Sequence, residues 1–140
     1  ASDVYKRQRL DGLHVLLVED NEINQEIAKE LLLMEGASVD VADNGEQALN
    51  IFARSEEGYY QLVLMDIQMP VMDGYTATAA LRSLRRDDAK TAIILAMTAN
   101  VFSDDVIKAE ASGMNGHISK PFDPDKLYAM IAASCHKKRG

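Results

Sequence analysis

Short aliphatic runs alternate with helix-like patterns five times along this chain, and that alternation limits the possible folds more than any other feature. The runs lie at residues 14–18, 38–42, 61–66, 91–97 and 117–119. Each helical pattern can return the chain to the edge where the previous strand began, so successive strands are expected to run parallel. The sequence therefore predicts an α/β domain whose parallel sheet is covered by helices on both faces.

The apolar pattern within each run predicts the order of the strands. Runs 14–18, 61–66 and 91–97 are almost continuously apolar, which suits the centre of a sheet, whereas run 38–42 (SVDVA) alternates and suits an edge. Together they indicate a flavodoxin-like, doubly wound (βα)5 fold with five parallel strands in the order 2-1-3-4-5. Ligands of such folds bind beyond the carboxyl ends of the strands, here near the switch between the first and third.

Capping residues and apolar spacing predict the helices. Asn21 is placed to cap the first helix, and Ile23, Ile27 and Leu31 form an apolar stripe along it. A further helix is predicted at residues 75–86, with Arg82, Arg85 and Arg86 at its carboxyl end, where they are expected to complement the helix dipole.

Charge and composition limit the organisation and the partners of the chain. A net charge of −7 without a basic stripe argues against nucleic acid as a partner, and the single cysteine excludes an intramolecular disulfide. No apolar run is long enough to span a membrane, so no direct membrane contact is expected. We predict a linker at residues 1–10, one domain at 11–136 and a tail at 137–140.

Polar residues stand at the carboxyl ends of four predicted strands. Glu19 and Asp20 follow the first strand, Asp66 ends the third, Thr98 follows the fourth and Lys120 follows the fifth. Because the carboxyl ends of parallel strands share one edge of the sheet, these groups are expected to converge. Three carboxylates in one pocket repel each other, so the pattern favours a bound Mg²⁺, which prefers oxygen ligands.

Asp66 is the expected phosphoryl acceptor, because it lies centrally between the acid pair and the Thr98 and Lys120 side. A carboxylate beside a metal ion, an ammonium and a hydroxyl suits phosphoryl transfer that yields an aspartyl phosphate. The chain has no Walker-type glycine loop, so a nucleotide held in that way is not the expected donor. Asp73, the second aspartate of the stretch 61–74, is expected to shape a turn and cap the next helix.

The chain closely resembles the receiver (response-regulator) domains of two-component phosphorelays. The resemblance runs from about residue 13 to about residue 135 and rests on four motifs in order. They are LLVEDN at 16–21, LMDIQMPVMDG at 64–74, AMTAN at 96–100 and GHISKP at 116–121. Each motif alone is weak, whereas their order and spacing together are highly specific.

The resemblance implies a role for each residue of the site. Asp66 matches the phosphorylated aspartate, Lys120 matches the family's lysine, and Mg²⁺ is the implied cofactor. Asp20 and Asp66 match direct metal ligands, and the backbone carbonyl of Gln68 matches a third. Glu19 matches an acid that acts on the metal through a water molecule.

The resemblance also implies a switch. Thr98 matches the switch hydroxyl, which the phosphoryl group would draw inward to reshape the surface around helix 102–112, the fifth strand and the last helix. His117 stands where Tyr or Phe is common, and it is either a switch residue or a passive surface imidazole that ionises near neutral pH. Gln68 and Asn100 flank the site and are expected to tune the lifetime of the phosphate.

A receiver takes its phosphoryl group from the phosphohistidine of a histidine kinase or a histidine phosphotransfer domain, and it promotes its own phosphorylation and dephosphorylation. The segments RLDGLHVLLVEDN and GMNGHISKPF resemble receivers joined to hybrid sensor histidine kinases. That parent would place the domain in the cytoplasm. A stand-alone response regulator receiver is the alternative, and a weak homodimer is a further expected contact.

Three other classes of protein fit parts of the pattern. A phosphohydrolase with an aspartyl-phosphate intermediate would carry a second acid where this chain has Gln68. A flavodoxin-like cofactor module would need a phosphate loop where the acidic residues 19–22 would repel a phosphate. A pseudo-receiver that only binds partners is disfavoured, because the acid pair, Asp66, Thr98 and Lys120 are all present.

Overall fold

Five parallel strands form one sheet in the computed structural model, which describes residues 9–98, 104–120 and 123–139. The strands are β1 His14–Val18, β2 Ser38–Ala42, β3 Leu62–Asp66, β4 Ile93–Thr98 and β5 Gly116–Ser119. Their order is β2-β1-β3-β4-β5, with all four neighbouring pairs parallel. The predicted fold class and strand order are therefore confirmed.

Helices connect the strands and cover both faces of the sheet. They are α1 Glu22–Met34, α2 Gly45–Arg54, α3 Gly74–Arg82, α4 Asp88–Thr91, α5 Asp104–Ser112 and α6 Pro124–Arg139. One hydrophobic cluster joins the sheet to α1 and α6, and a second joins its other face to α2 and α3. In the part of the chain that is described, no helix has the length and apolar character needed to cross a bilayer.

The predicted caps hold the ends of the helices next to the strand ends. The side chain of Asn21 accepts a hydrogen bond from the Asn24 N–H at 3.0 Å, and that of Asp73 accepts one from the Thr76 N–H at 2.8 Å. Each bond satisfies a backbone donor in the first turn of its helix. Asp73 therefore caps α3, as predicted.

The apolar stripe predicted for α1 does not face the core. Ala28 and Leu32 are the buried residues of this helix, while Ile23 is 71% exposed and Ile27 is 51% exposed. Residues 28 and 32 each follow a residue of the predicted stripe by one position. They therefore lie about 100° further around the helix axis than the stripe of residues 23, 27 and 31. The small side chain of Ala28 lets the ridge of residues 28 and 32 pack on the sheet, so the stripe of isoleucines is left at the surface.

The helix predicted at residues 75–86 ends earlier, at Arg82. Arg82 donates to three backbone carbonyls beyond its own helix and to the side chain of Asn115. Arg86 donates to carbonyls at the end of α2 and forms an ion pair with Asp88 at 2.7 Å. Arg82 lies in the last turn of α3, where its charge complements the helix dipole as predicted, and it also satisfies carbonyls of other elements. Arg86 lies beyond the end of α3 and satisfies carbonyls of α2 instead.

The first described residues pack on the domain. Leu10 is buried in the cluster shared by α1 and α6. Arg9 forms ion pairs of 2.9 Å with Glu35 and with Asp125. The domain bounds of 11–136 stay a prediction. Asn100 and the first residues of the helix predicted at 102–112 lie outside the described residues.

Substitution of Gly74 tests how tightly the loop after β3 packs against Asp66. An added Cβ there would clash with the backbone carbonyl oxygen of Asp66, whereas one at Gly12 would meet nothing within 4 Å. We expect Gly74→Ala to lower the free energy of unfolding by about 3 kcal/mol, because backbone must move. Gly12→Ala should cost only about 1 kcal/mol, from its positive φ. Equal losses in urea unfolding would contradict this reading.

Candidate active site

The carboxyl ends of the strands bring the predicted site residues to one cavity of about 320 Å³. Asp66 is the last residue of β3, and Thr98 is the last of β4. Lys120 follows β5, where its N–H donates to the carbonyl of Thr98 at 2.9 Å and extends the parallel ladder. Glu19 continues β1 in the same way, since its N–H donates to Ala42 at 3.1 Å. Regular sheet pairing therefore delivers each of these side chains to the same rim.

Lys120 joins two buried carboxylates at the floor of the cavity. Its ammonium lies 2.9 Å from Glu19 Oε2 and 2.9 Å from Asp66 Oδ2. Glu19 is 2% exposed and Asp66 is 4% exposed, so water screens neither charge well. One cation thus neutralises half of the charge of a pair that the fold has desolvated.

The environment shifts the two carboxylates in opposite directions. Burial raises the pKa of Asp66 to about 6; the hydrogen bond from Lys120 opposes this shift, and the neighbouring Glu19 adds to it. Burial also acts on Glu19, but hydrogen bonds from Lys120 and Asn24 outweigh it and lower the pKa of that carboxyl. Asp66 therefore holds the proton of the pair more readily than Glu19 does.

Two hydrogen bonds orient these acids, and sequence reasoning missed the first. The amide of Asn24 donates to Glu19 Oε1 at 3.0 Å, and the backbone N–H of Gln68 donates to Asp66 Oδ1 at 3.2 Å. Asn24 lies one turn into α1, above the end of β1. The sequence feature that could have identified Asn24 is its position three residues after the cap Asn21. That position places it in the first turn of the helix, next to the end of β1.

The acidic residues can hold a metal ion. One carboxylate oxygen from each of Glu19, Asp20 and Asp66 lies within 4.8 Å of the others. This donor set fits Mg²⁺, which takes one or two carboxylates together with carbonyls and waters. Asp20 is exposed and Gln68 lines the same cavity, so both can reach an ion from the open side.

The two residues predicted to form a switch differ in their positions. Thr98 is buried and lines the cavity. His117 lies on β5, pairs in register with Ala96, and is half-buried. Among the described residues that line the cavity, His117 is absent. The structure therefore brings Thr98 to the site. It leaves His117 outside the cavity lining, two residues before Ser119, which is the register partner of Thr98.

The fold and this site define an α/β signalling module with an acidic, lysine-bridged pocket at the switch point of its sheet. The chain belongs to the response regulator receiver domain family, whose model matches residues 15–132. It is a receiver domain of phosphorelay systems.

Curated relatives agree with this assignment. The chain is 37% identical over 119 residues to hybrid signal transduction histidine kinase I of Dictyostelium discoideum, covering 84% of this chain and 7% of that protein. It is 43% identical over 119 residues to transcription factor SKN7 of Candida albicans, covering 85% of this chain and 20% of that protein. The chain thus spans a small part of the relatives that it matches.

Solved structures share the fold. The receiver domain of the sensor histidine kinase PA1611 from Pseudomonas aeruginosa, which holds a magnesium ion in its active site cleft, has a TM-score of 0.77 and 34% identity. The match covers 87% of this chain and 96% of that one. The Saccharomyces cerevisiae Ssk1 receiver, crystallised with the histidine phosphotransfer protein Ypd1, gives a TM-score of 0.75 and 31% identity. That match covers 89% of this chain and 90% of that one.

The raised pKa of Asp66 predicts a pH-dependent cost to stability. The folded value is about 6 against an ordinary 3.8, so the metal-free folded protein binds a proton that the unfolded chain has released. Stability therefore falls as pH rises from about 4 to about 6. In Asp66→Asn this loss is absent, so the variant should exceed the parent in free energy of unfolding by on the order of 2 kcal/mol at pH 7.5 and by little at pH 4.

Urea unfolding in EDTA at both pH values measures this difference. Asp73→Asn is the matched control, because it makes the same change on an exposed carboxylate and asparagine preserves the cap of α3. An Asp66→Asn advantage of the same size at both pH values would show that the charge of Asp66 is not its source.

Proposed function

We propose that Asp66 accepts a phosphoryl group from a phosphohistidine and that the aspartyl phosphate sets the signalling state of the domain. The observation that carries this proposal is the ammonium of Lys120 held 2.9 Å from the carboxylates of both Asp66 and Glu19. A cation beside a buried acid that ends a strand is poised to follow negative charge as it moves onto that acid.

The transfer uses groups that already line the cavity. An oxygen of the Asp66 carboxylate attacks phosphorus, the P–O bond forms, and the P–N bond to the donor imidazole breaks. The imidazole leaves as a neutral ring once it has taken up a proton. Lys120 and the hydroxyl of Thr98 then bind phosphoryl oxygens, which offsets the charge spread over them.

Asp20, Asp66 and the backbone carbonyl of Gln68 would hold Mg²⁺, with Glu19 acting through water. When bound, the ion supplies positive charge that offsets like-charge repulsion among the carboxylates and the incoming phosphoryl group. The cluster of carboxylate oxygens within 4.8 Å supports this assignment. Asn24 contributes by holding Glu19 in place.

Phosphorylation would act as a switch by drawing Thr98 inward. Because Thr98 ends β4 and pairs in register with Ser119 of β5, its movement would be felt on the surface that includes His117. We assign His117 as the second switch residue. We also infer a hybrid sensor histidine kinase as the parent, with the domain in the cytoplasm; the hybrid kinase relatives support this.

The rival phosphohydrolase function has less support. It would need an acid two residues after Asp66 to protonate a leaving group and activate water. Gln68 occupies that position. An amide cannot exchange a proton in this way, so the site is better suited to hold an acyl phosphate than to turn over a series of substrates.

An exposed apolar pair beside the cavity supports a docking surface for the phosphoryl donor. Ile27 lines a second cavity of about 200 Å³ that shares Glu19, Asn24 and Lys120 with the first. Ile23 lies one turn earlier on α1 and is more exposed. A donor that brings a histidine to Asp66 must cover this rim, so we assign the pair to a histidine phosphotransfer domain.

Acetyl phosphate tests the acceptor. With Mg²⁺, intact mass should increase by one phosphoryl group on the parent chain and on Asp73→Asn, and EDTA should prevent it. Asp66→Asn should remain unmodified, because the attacking carboxylate is replaced by a neutral amide, which is a poor nucleophile. Labelling of Asp66→Asn at the parent's rate would sink the assignment.

A phosphorylated donor tests the docking surface. With Saccharomyces cerevisiae Ypd1 as donor, we expect the double change Ile23→Ser and Ile27→Ser to slow transfer by about tenfold, since exposed apolar anchors dominate binding. Met34→Ser, at the far end of α1, should transfer at the parent's rate. Labelling by acetyl phosphate should be equal in all three; transfer at an unchanged rate in the double variant would rule out this face.

A further inference from the structure

A single side chain joins the two loops on one side of the cavity. The amide of Gln25, which is half-buried on α1, donates to the backbone carbonyl of Glu19 and, at 2.9 Å, to Asp43 Oδ1. Both partners are acceptors, so only the NH2 end of the amide can face them. Gln25 therefore bridges the loop after β1 to the loop after β2.

The rotation of α1 explains why Gln25 reaches these loops. Gln25, Ala28 and Leu32 are spaced by three and four residues, so they share one face of the helix. Ala28 and Leu32 are buried against the sheet, and the same face carries Gln25 to the carboxyl end of β1. There the N–H of Glu19 donates to the carbonyl of Ala42, and the amide of Gln25 extends this connection beyond the backbone pairing.

The bridge acts on the peptide group that leads into Asp20. Because a peptide group is planar, a hydrogen bond to the carbonyl of Glu19 also fixes the orientation of the Asp20 nitrogen. The side chain of Asp20 is exposed, and within the described residues no hydrogen bond or ion pair holds its carboxylate. The position of that carboxylate therefore depends on the backbone, which the side chain of Gln25 holds.

We propose that Gln25 is a positioning residue of the metal site. By holding the peptide before Asp20 against the loop after β2, it keeps a carboxylate oxygen of Asp20 within 4.8 Å of those of Glu19 and Asp66. Residues that orient a metal ligand without touching the ion set much of its affinity, because a loop that must be ordered on binding costs conformational entropy. This inference rests on the proposed function, in which Asp20 is a ligand of Mg²⁺.

Replacement of Gln25 by methionine tests this role. Gln25→Met keeps the length and the neutrality of the side chain and removes both donated hydrogen bonds. We expect Mg²⁺ to bind this variant about tenfold more weakly than the parent, as measured by a titration of backbone amide shifts.

Gln47→Met is the matched control. The side chain of Gln47 accepts from the N–H of Asp43 at 2.9 Å, so it holds the same loop without contacting Glu19. It should bind Mg²⁺ with the parent's affinity. An equal loss in the two variants, or unchanged affinity in Gln25→Met, would overturn the positioning role.

A measurement without metal reports on the loop itself. In EDTA, the NMR order parameter of the Asp20 N–H should fall in Gln25→Met and keep the parent's value in Gln47→Met. The reason is that only the first variant loses its hold on the preceding peptide. An unchanged order parameter in Gln25→Met would contradict the inference.

Two changes at Asp43 separate the bridge from its charge. Asp43→Asn and Asp43→Ala both remove a negative charge, but only asparagine keeps an oxygen that can accept from Gln25. We expect Asp43→Ala to bind Mg²⁺ about threefold more weakly than Asp43→Asn. Equal affinities would refute the bridge between the loops, even if Gln25→Met failed to fold.

Asp20→Asn distinguishes failure of this inference from failure of the proposed function. The proposed function requires this change to weaken Mg²⁺ binding, because it removes a ligand charge. If Asp20→Asn weakens binding and Gln25→Met does not, only the positioning role fails. If Asp20→Asn binds Mg²⁺ with the parent's affinity, the assignment of Asp20 as a metal ligand fails, and the proposed function fails at that point.

Discussion

Lys120 places one positive charge between two carboxylates that the fold has removed from water, and the rest of the site depends on this arrangement. Each desolvated acid alone would cost several kcal/mol, and the pair would repel each other as well. The ammonium reduces both costs without cancelling them, which is why burial still holds the pKa of Asp66 near 6. The site is left short of positive charge, and that shortage makes it attractive to a divalent cation.

The sheet explains why such an unfavourable cluster can exist. Parallel pairing runs without interruption to the last residue of β3 and β4, so the backbone groups around Asp66 and Thr98 are satisfied while their side chains emerge at the rim. Aliphatic residues of the same strands fill the two hydrophobic clusters. The stability of those clusters supports the local cost of the charged groups, a common arrangement at functional sites.

Much of this structure could be predicted from the sequence, because it follows from periodicity. Alternating strands and helices predicted the sheet and its order, and the rule that parallel strands end at one edge gathered Glu19, Asp20, Asp66, Thr98 and Lys120. Rotation of a helix about its axis is less constrained. In α1 two adjacent ridges are both apolar, and local spacing does not say which of them will meet the sheet.

Long-range partners were also beyond reach. Arg82 and Arg86 donate to carbonyls that lie more than 30 residues away in sequence. Local spacing does not reveal such partners, so the sequence predicted a helix that continues to Arg86 although it ends at Arg82. Val71, in the loop after β3, has a φ of +69° between Met69 and Met72, which pack against the hydrophobic cluster, and the isolated Met-Pro-Val-Met string does not predict this geometry. In both cases tertiary contacts decided the local geometry.

Arg82 links the elements around the site by hydrogen bonds. Its guanidinium ties the end of α3 to the turn before β4 and to Gly113 and Asn115 just ahead of β5. The strand that delivers Lys120 and the helix that begins beside Asp66 are therefore parts of one hydrogen-bonded frame. A change in the distance between Lys120 and Asp66 is therefore expected to come from the side chains themselves, because β5 and α3 are held to each other by these bonds.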